Sequence, residues 1–444
     1  MLKSIGKQLD IEAFALPIAN AAFPQPFISE LEFNAPARGM WNIVHTGMLI
    51  PRSHQIFVCA QGCLRGVILT AAEMNAMHRM SFVTVEEQDL FNGTLESNVI
   101  DGVSNILNDM AEKPRAVLVF LSCIQLFAGC DMDMIYSELR GRFPEIDFIE
   151  CLMHPTMRKS GLTPDAFIRK QLYSALRQGV PRDTEAVNII GNDRVTSAGS
   201  ELVKVLKDNG FTVRDIAECS NYDEYLAMAS AQYNISYYPT ARAANDFLSK
   251  RLNQTSLHLP LSYSFDEIAE CCNRLCSTLG VSADFSHDKN AAVEALQSAL
   301  QIIGDTPIAI DYTATLRNLS LARLLLDNGF NVKRVYTDVI IPEEKADFEY
   351  LQKVYPDLLL YPTLHPAMRF AAPAVGSGDE YLAIGQKAAY FCGTRHLVNI
   401  VSGGGWYGFD GIVQMCNAMV TAKNTLSDTK TLIQLKGWGC ESCL

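Results

Sequence analysis

The tetrapeptide Asp-Asn-Gly-Phe occurs twice, at residues 208–211 and 327–330, each time between a helical pattern and an apolar run. A helix that ends in Asn-Gly and is followed at once by a strand is typical of right-handed parallel β-α-β units. Aliphatic runs open these two units at residues 185–192 and 306–313, and a third such run occupies residues 115–123. The sequence therefore predicts an α/β fold.

The length of the chain indicates several domains. A chain of 444 residues corresponds to about three domains of roughly 150 residues each. We predict three doubly wound parallel-sheet (Rossmann-like) domains around a central cleft, with boundaries near residues 183 and 303. The predicted segments are an N-terminal arm at 1–35, α/β domains at 36–183, 184–303 and 304–424, and a C-terminal tail with a CxxC motif at 425–444.

Composition and charge exclude two classes of function. No apolar run approaches the roughly 18 uninterrupted residues of a membrane span, so we expect no membrane association. The net charge of −12, from 37 basic and 49 acidic residues, and the absence of a basic cluster disfavour nucleic-acid binding. The first residues form a poor secretory signal because Asp10 and Glu12 interrupt the apolar part. We therefore expect a cytoplasmic protein.

Thirteen cysteines in a chain without a recognisable signal argue for free thiols rather than disulfides. Cys59 and Cys63 lie in a segment, residues 53–63, that is neither a clean strand nor a clean helix. Cys123 follows a buried strand, at the edge where parallel sheets bind ligands, and Cys130 comes in the next turn. Thiolates that converge from two loops would suit iron and sulfide. The alternative is that these cysteines are small buried apolar residues.

Other candidates have weaker patterns. Cys440 and Cys443 form a C-x-x-C pair, which can bind metal or cycle between dithiol and disulfide, but can also belong to a loosely ordered tail. His365 follows a strand of the third domain and could line the central cleft, although a turn-stabilising role is the stronger interpretation. A helix does not present Cys271, Cys272 and Cys276 on one face, and we interpret these three as core residues.

Several separated stretches resemble, in order, the large-subunit superfamily of nitrogenase component 1. This superfamily includes dark-operative protochlorophyllide reductase subunits, chlorophyllide reductase subunits and cofactor-scaffold subunits. The stretches are HQIFVCAQGC at 54–63, TVEEQDLFNG at 84–93, VFLSCIQLFAGCD at 119–131, EAVNIIGN at 185–192 and GGGWYGFDGI at 403–412. They resemble, respectively, the family's Gly-Cys ligand loop, its Thr-Glu-x-Asp segment, its strand and cysteine turn, the opening of its second domain and its closing Gly-Tyr-Asp-Gly segment.

The resemblance implies a site and a cofactor. It assigns Cys63 and Cys123 as ligands of an iron–sulfur cluster, either 4Fe–4S or a larger variant. The family's usual first cysteine has no counterpart near residues 37–47, and Cys59 is the candidate to replace it. Cys130 stands where the family has an acidic residue and is a weaker fourth candidate. A partner subunit could supply any remaining ligand, as is common in the family.

The resemblance is poorer at the second cofactor site of the catalytic family members. His396 lies close to the histidine that anchors their metal cofactor but is offset, and of the second-domain cysteines only Cys219 lies outside the helical group. The cavity could therefore hold a second metal cofactor or a different, tetrapyrrole-like substrate. His396 and His365 are the weak catalytic candidates.

The function implied by the resemblance is that of an oxidoreductase subunit. A separate ATP-dependent iron–sulfur reductase dimer would deliver electrons, and this chain would relay them through its cluster to a substrate. A paralogous or identical subunit would complete a dimer or tetramer. The alternative is a non-catalytic scaffold on which a metal cluster or cofactor is assembled.

Overall fold

The computed structural model describes residues 10–28, 31–33, 35, 39–40, 42–154, 162–371 and 380–434. The predicted ligand candidates Cys440 and Cys443 lie outside the described residues. Within the described ranges, no helix combines the length and apolar character needed to cross a bilayer.

The strands of the described chain are short and regularly spaced. In chain order they are β1 Leu16–Pro17, β2 Ser53–Cys59, β3 Met80–Thr84, β4 Ala116–Ser122, β5 Asp147–Met153, β6 Asp183–Ile189, β7 Thr212–Asp215, β8 Ala231–Ser236, β9 Thr255–His258, β10 Ile308–Asp311, β11 Val332–Tyr336, β12 Leu359–Tyr361, β13 Leu382–Ile384 and β14 Leu397–Val398.

Helices separate most of these strands. They are α1 Ile43–Gly47, α2 Leu64–Glu73, α3 Glu87–Asn92, α4 Leu95–Asp109, α5 Cys123–Phe127, α6 Met132–Arg142, α7 Pro164–Gln171, α8 Glu201–Asp208, α9 Tyr222–Ala227, α10 Arg242–Leu252, α11 Phe265–Leu279, α12 Ser286–Ile303, α13 Asn318–Asp327, α14 Lys345–Val354, α15 Gln386–Cys392 and α16 Gly408–Asn424. Short 3₁₀ turns that bear on the site are Gln61–Cys63 and Pro366–Phe370.

The strands form three sheets, as predicted. The first has the order β3-β2-β4-β5 and the second β7-β6-β8-β9, and every pairing within them is parallel. The third has the order β1-β12-β11-β10-β13-β14, in which only the edge strand β1 is antiparallel. In each sheet the strand order reverses beside the first parallel strand, which is the doubly wound arrangement.

The chain divides into two compact units. The two-sheet unit comprises residues 41–195 and 206–260 and contains the first and second sheets. The third-sheet unit comprises residues up to 40 together with 196–205 and 261–435. Residues 261–303 thus pack with the third sheet, whereas the predicted second domain extends to residue 303. The predicted domain boundaries stay predictions.

The first sheet is buried on both faces. All seven residues of β2 and all seven of β4 are buried. Phe57 and Cys59 face one apolar cluster, and Ile56 and Val58 face the other. Residues 53–63 thus comprise a regular strand, Ser53–Cys59, and a 3₁₀ turn, Gln61–Cys63. The strand was not recognised in the sequence because a strand with two covered faces loses the alternation that marks half-buried strands.

Polar residues at the start of β2 made the strand difficult to recognise from the sequence. The Gln55 side-chain amide donates to the carbonyl oxygen of Val44 at 2.9 Å. His54 Nε2 lies 2.8 Å from the Ser81 hydroxyl. These two bonds reduce the penalty that a polar residue would otherwise impose on a buried strand, and the Gln55 side-chain oxygen is left without a partner among the described residues.

Candidate functional site

Three cysteines lie at the carboxyl edge of the first sheet. Cys59 is the last residue of β2, and Cys123 is the first residue after β4. The two strands are parallel neighbours in which Val58 pairs with Leu121, so their ends meet at the same edge. Cys63 ends the 3₁₀ turn that follows β2. This edge, beside the strand at which the order reverses, is where doubly wound sheets bind ligands.

A side-chain brace sets the position of Cys123. The Gln125 side-chain oxygen accepts hydrogen bonds from the backbone N–H of Ser122 at 3.0 Å and from its hydroxyl at 2.7 Å. The Gln125 amide nitrogen donates across to the carbonyl oxygen of Val58 at 3.4 Å. The helix cap of α5 therefore joins the ends of β4 and β2. The pattern Ser-x-x-Gln at residues 122–125 is a capping-box signature, so the sequence carried a signal for this residue.

The turn that carries Cys63 is tight and open to solvent. The Cys63 backbone N–H donates to the carbonyl oxygen of Ala60 at 2.9 Å. A Cβ atom added at Gly62 would meet no other atom within 4 Å. Cys63 is exposed, Cys123 is half-buried and Cys59 is buried. The turn thus leaves free space beside its thiol.

Cys63 and Cys123 both lie within electrostatic reach of Cys59. Burial, with smaller contributions from the neighbouring Cys63 and Cys123, raises the pKa of Cys59 to about 12. Among the residues that the structure describes, no three His, Cys, Asp or Glu side chains are placed to hold a single metal ion. An iron–sulfur cluster makes a different demand, because its thiolates bind separate iron atoms of one inorganic core. Three thiols and open space beside Gly62 fit such a group.

These environments predict different reactivities in the metal-free protein. We expect iodoacetamide to alkylate the exposed Cys63 at least about a hundredfold faster than Cys59, because only the thiolate reacts and the Cys59 thiol is buried with a raised pKa. Peptide mass spectrometry over time measures both rates. In urea the two cysteines should react alike. Equal rates in the folded protein would contradict the described burial of Cys59.

Cys130 lies apart from these three thiols. It packs against the apolar cluster on the face of the first sheet that is opposite Cys59. Burial raises the pKa of Cys130, and the Glu96 carboxylate raises it further by its charge and by a hydrogen bond. A neighbouring carboxylate disfavours the thiolate that a metal needs. The structure therefore does not group Cys130 with Cys59, Cys63 and Cys123.

His154 lies beside the same edge, directly after β5. Its Nε2–H donates to the carbonyl oxygen of Ser122 at 2.6 Å, which joins the end of β5 to the residue before Cys123. The side chain is fully buried, its Nδ1 has no hydrogen-bond partner, and burial lowers the pKa of the imidazole. A neutral His154 therefore presents a buried acceptor close to the thiol-bearing turn.

The two weak catalytic candidates make local contacts in the third-sheet unit. His396 Nδ1 lies 2.8 Å from the carbonyl oxygen of Ala422 on α16. His365 precedes the 3₁₀ turn Pro366–Phe370, and its Nδ1 accepts a hydrogen bond from the backbone N–H of Ala367 at 3.2 Å. Both contacts suit packing and capping roles.

The remaining cysteine candidates are not at the site. Cys271, Cys272 and Cys276 are buried in α11, in agreement with their interpretation as core residues. Cys219 follows β7, and its thiol contacts the carbonyl oxygen of Asp215 at 3.5 Å.

A polar cluster at the carboxyl edge of the third sheet was not predicted from the sequence. Lys387, at the start of α15, is buried and donates to the Tyr312 hydroxyl at 2.6 Å and to the Thr363 hydroxyl at 3.3 Å. Asp311 ends β10 and accepts a hydrogen bond from the backbone N–H of Ala388 at 2.6 Å. The strand ending in Ile-Asp-Tyr-Thr was the available signal, since polar residues after a buried strand mark this edge.

The fold and the thiol-bearing edge define an α/β protein of three parallel sheets with a candidate cluster site on the first. The sequence profile of the nitrogenase component 1 type oxidoreductases matches residues 44–369, which is well over half of the chain. The chain therefore belongs to that family. Among curated proteins, no sequence matches the chain.

Two solved structures have a similar fold. "Nitrogenase Cp1 at pH 6.5" matches with a TM-score of 0.65 and 12% sequence identity, over 90% of this chain and 95% of that chain. "Nitrogenase Cp1 at pH 5" matches with a TM-score of 0.53 and 12% identity, over 89% of this chain and 90% of that chain. At this identity the likeness extends to the fold alone.

Proposed function

We propose that this chain is a subunit of a nitrogenase-like reductase, which accepts electrons from an ATP-dependent iron–sulfur reductase and passes them through a cluster to a substrate. Cys59, Cys63 and Cys123 are the proposed ligands. The supporting observation is that three thiols from two loops lie within electrostatic reach at one sheet edge of a chain that belongs to this family.

A bound cluster would supply one-electron transfer at a potential set by its ligands, hydrogen bonds and burial. The protein's residues hold and orient the thiols. Gln125 fixes the start of α5 against β2, and the open space at Gly62 lets the backbone approach a bulky group. Because Cys59 is protonated at neutral pH, cluster binding must release its proton, and binding should weaken as the pH falls.

The surface around the thiols supports a partner subunit. The helices α3 and α5 follow β3 and β4 at this same edge, and they expose large apolar side chains. Phe91 is 81% exposed and Phe127 is 72% exposed, and Leu90 and Leu126 are also exposed. Exposed apolar groups close to one another mark interaction sites. We propose that a paralogous or identical subunit covers them and supplies any ligand that the three cysteines leave open.

A scaffold for cluster or cofactor assembly is the second candidate function. The His396 imidazole is engaged with α16, and Cys219 is engaged with the backbone of its own turn. Neither is presented as an anchor for a second metal cofactor, which favours either a scaffold or a reductase with an organic substrate.

Anaerobic purification, iron and sulfide analysis and electron paramagnetic resonance test the cluster. The reductase proposal then expects ATP-dependent reduction of that cluster by a nitrogenase-iron-protein-like partner, with sustained substrate reduction. A scaffold would instead transfer its cluster to an acceptor protein without turnover. Purified protein that binds no iron, even after anaerobic reconstitution with iron and sulfide, would overturn both functions.

A further inference from the structure

A second candidate site lies at the opposite, amino-terminal edge of the first sheet. A cavity of about 680 Å³ opens there. It is lined by the turn at residues 48–52, the start of β2, residues 110–114 before β4, and the turn at 217–220 after β7. All of these residues belong to the two-sheet unit. Because β2 runs from Ser53 to Cys59, the cavity and the thiols lie at opposite ends of the strand.

The guanidinium of Arg79 is the main polar feature of the cavity wall. It donates to the carbonyl oxygens of Ser53, Met48 and Ile50 at 3.1, 3.2 and 2.7 Å, and to the Ser53 hydroxyl at 2.9 Å. These four bonds leave one of the five guanidinium N–H groups, on Nη1, for another acceptor. Arg79 forms no ion pair with any carboxylate among the described residues.

A half-buried cation without a counter-ion is unusual. Burial lowers the pKa of Arg79, which reports the cost of holding this charge away from water, and carbonyl dipoles offset only part of that cost. Buried charges are normally paired. The remaining Nη1–H of Arg79 is therefore a donor for an anion that enters the cavity.

Other groups on the wall add positive charge. The Lys113 side chain is exposed at the cavity, while Arg52 pairs with Glu112 and contributes no net charge. Among the described lining residues, Arg79 and Lys113 are thus the Lys and Arg side chains outside this ion pair, and Glu112 is the one carboxylate. Such a region concentrates anions from solution.

One histidine on the wall is close to these cations. His54 lies on the wall with its Nε2 bound to the Ser81 hydroxyl. Burial, with smaller contributions from the neighbouring Arg79 and His78, lowers the pKa of His54 to about 4. His54 is therefore a neutral polar group that a bound anion would contact without displacing a proton.

Part of the wall is apolar. Met48, Leu49, Met110 and Pro114 line the cavity beside the cations. Ligand sites of this size typically combine an apolar wall with a few polar groups that orient the ligand.

We propose that this cavity binds a small organic anion, whose phosphate or carboxylate group meets Arg79 and Lys113 and whose apolar body rests on the methionine and proline side chains. The proposal is independent of the cluster and would hold for a reductase or for a scaffold.

The test is isothermal titration calorimetry of the full chain at fixed ionic strength with phenyl phosphate, phenylacetate and inorganic phosphate. We expect one site per chain with a dissociation constant below about 1 mM for phenyl phosphate or phenylacetate, and weaker binding of inorganic phosphate, which lacks the apolar body. The stronger of the two phenyl ligands identifies the anionic group that the site prefers.

Lys113→Glu should weaken binding at least about tenfold, because the reversed charge repels the ligand. Lys250→Glu is the matched control: it makes the same change in net charge at an exposed residue of α10 that does not line the cavity, and it should leave binding unchanged. Arg79→Gln should abolish binding. If the Arg79→Gln variant fails to fold, the comparison of Lys113→Glu with Lys250→Glu tests the proposal.

The proposal is overturned if neither phenyl ligand binds at millimolar concentration. It is also overturned if Lys113→Glu and Lys250→Glu weaken binding equally, since the effect would then come from net charge alone. In either case Arg79 only braces the turn before β2.

Discussion

Cys123→Ser is expected to lower the iron bound by the anaerobically purified protein at least about tenfold, which is the lower end of the loss that removing even an indirect partner of a metal ligand produces. Cys123 opens α5 beside the end of β2, and serine is a poor substitute for a thiolate on iron. Cys63→Ser should have a similar effect. Iron analysis and electron paramagnetic resonance measure the loss.

Two further cysteine variants control this result. Cys130→Ser should retain iron, because Cys130 packs on the opposite face of the first sheet beside Glu96. Cys276→Ala should also retain iron, because Cys276 is buried in α11 of the third-sheet unit, away from the site. Circular dichroism establishes that each variant is folded. Full iron content in Cys63→Ser and Cys123→Ser would refute the ligand assignment.

Cys59→Ser distinguishes a site in which Cys59 binds the cluster from one in which a partner subunit provides that thiolate. Cys59 is buried at the strand end and its thiol has a raised pKa, so ligation there requires the metal to displace a firmly held proton. If Cys59 is a ligand, the variant loses iron as Cys123→Ser does. If the variant keeps its iron, Cys59 supports the turn and the partner subunit provides the missing thiolate.

Much of the fold could be predicted from local patterns. The helices α8 and α13 end directly before Asn-Gly in both copies of the repeated tetrapeptide, where Gly210 and Gly329 have positive φ angles of 81° and 85°. Glycine adopts this conformation without the penalty that other residues incur. The turn chemistry therefore marks each helix end in the sequence, and a parallel sheet follows from the strand that comes next.

The packing of residues 261–303 could not be predicted in this way. The helices α11 and α12 are amphipathic and would suit either neighbouring sheet, and only the structure reveals that Ile268 and Leu296 pack in the core of the third sheet. An apolar face indicates that a helix is buried, but it does not indicate which sheet the helix packs against.

The sequence predicts those parts of the site that follow directly from the direction of the parallel strands. Cys59 and Cys123 follow strands, and parallel strands end at one edge, so their proximity follows from the fold. Cys130 follows a helical turn, and the face on which it lies depends on how α5 and α6 pack. The cavity around Arg79 depends on turns more than 100 residues apart, 48–52 and 217–220, which no local pattern connects.

A buried ion network in the two-sheet unit should give the largest stability effect. Arg169 on α7 is 4% exposed and donates to Asp165 at 3.1 Å, to Asp193 at 2.7 Å and to the carbonyl oxygen of Gly191 at 2.7 Å. The Asp193 carboxylate also accepts from the Thr46 hydroxyl on α1 at 3.3 Å. One guanidinium thus joins α7 and α1, which pack on the first sheet, to the turn after β6 of the second.

Arg169→Met is expected to reduce the free energy of unfolding of this unit by roughly 3–5 kcal/mol, because breaking one partner out of a buried pair leaves an uncompensated charge. Burial raises the pKa of Asp193, the charge of Asp165 adds to the rise, and Arg169 is the main group that opposes it. A loss of this size corresponds to a drop of the order of 10 °C in the melting temperature. Differential scanning calorimetry and urea denaturation measure it.

The origin of the loss can be isolated with a second substitution. If the orphaned carboxylate is responsible, Arg169→Met combined with Asp193→Asn should be more stable than Arg169→Met alone, since the double variant leaves no unpaired charge at residue 193. Arg142→Met is the surface control: Arg142 pairs with Asp101 and Glu138 in solvent, and exposed pairs contribute little. Equal losses in Arg142→Met and Arg169→Met would mean that burial of the network does not determine its contribution.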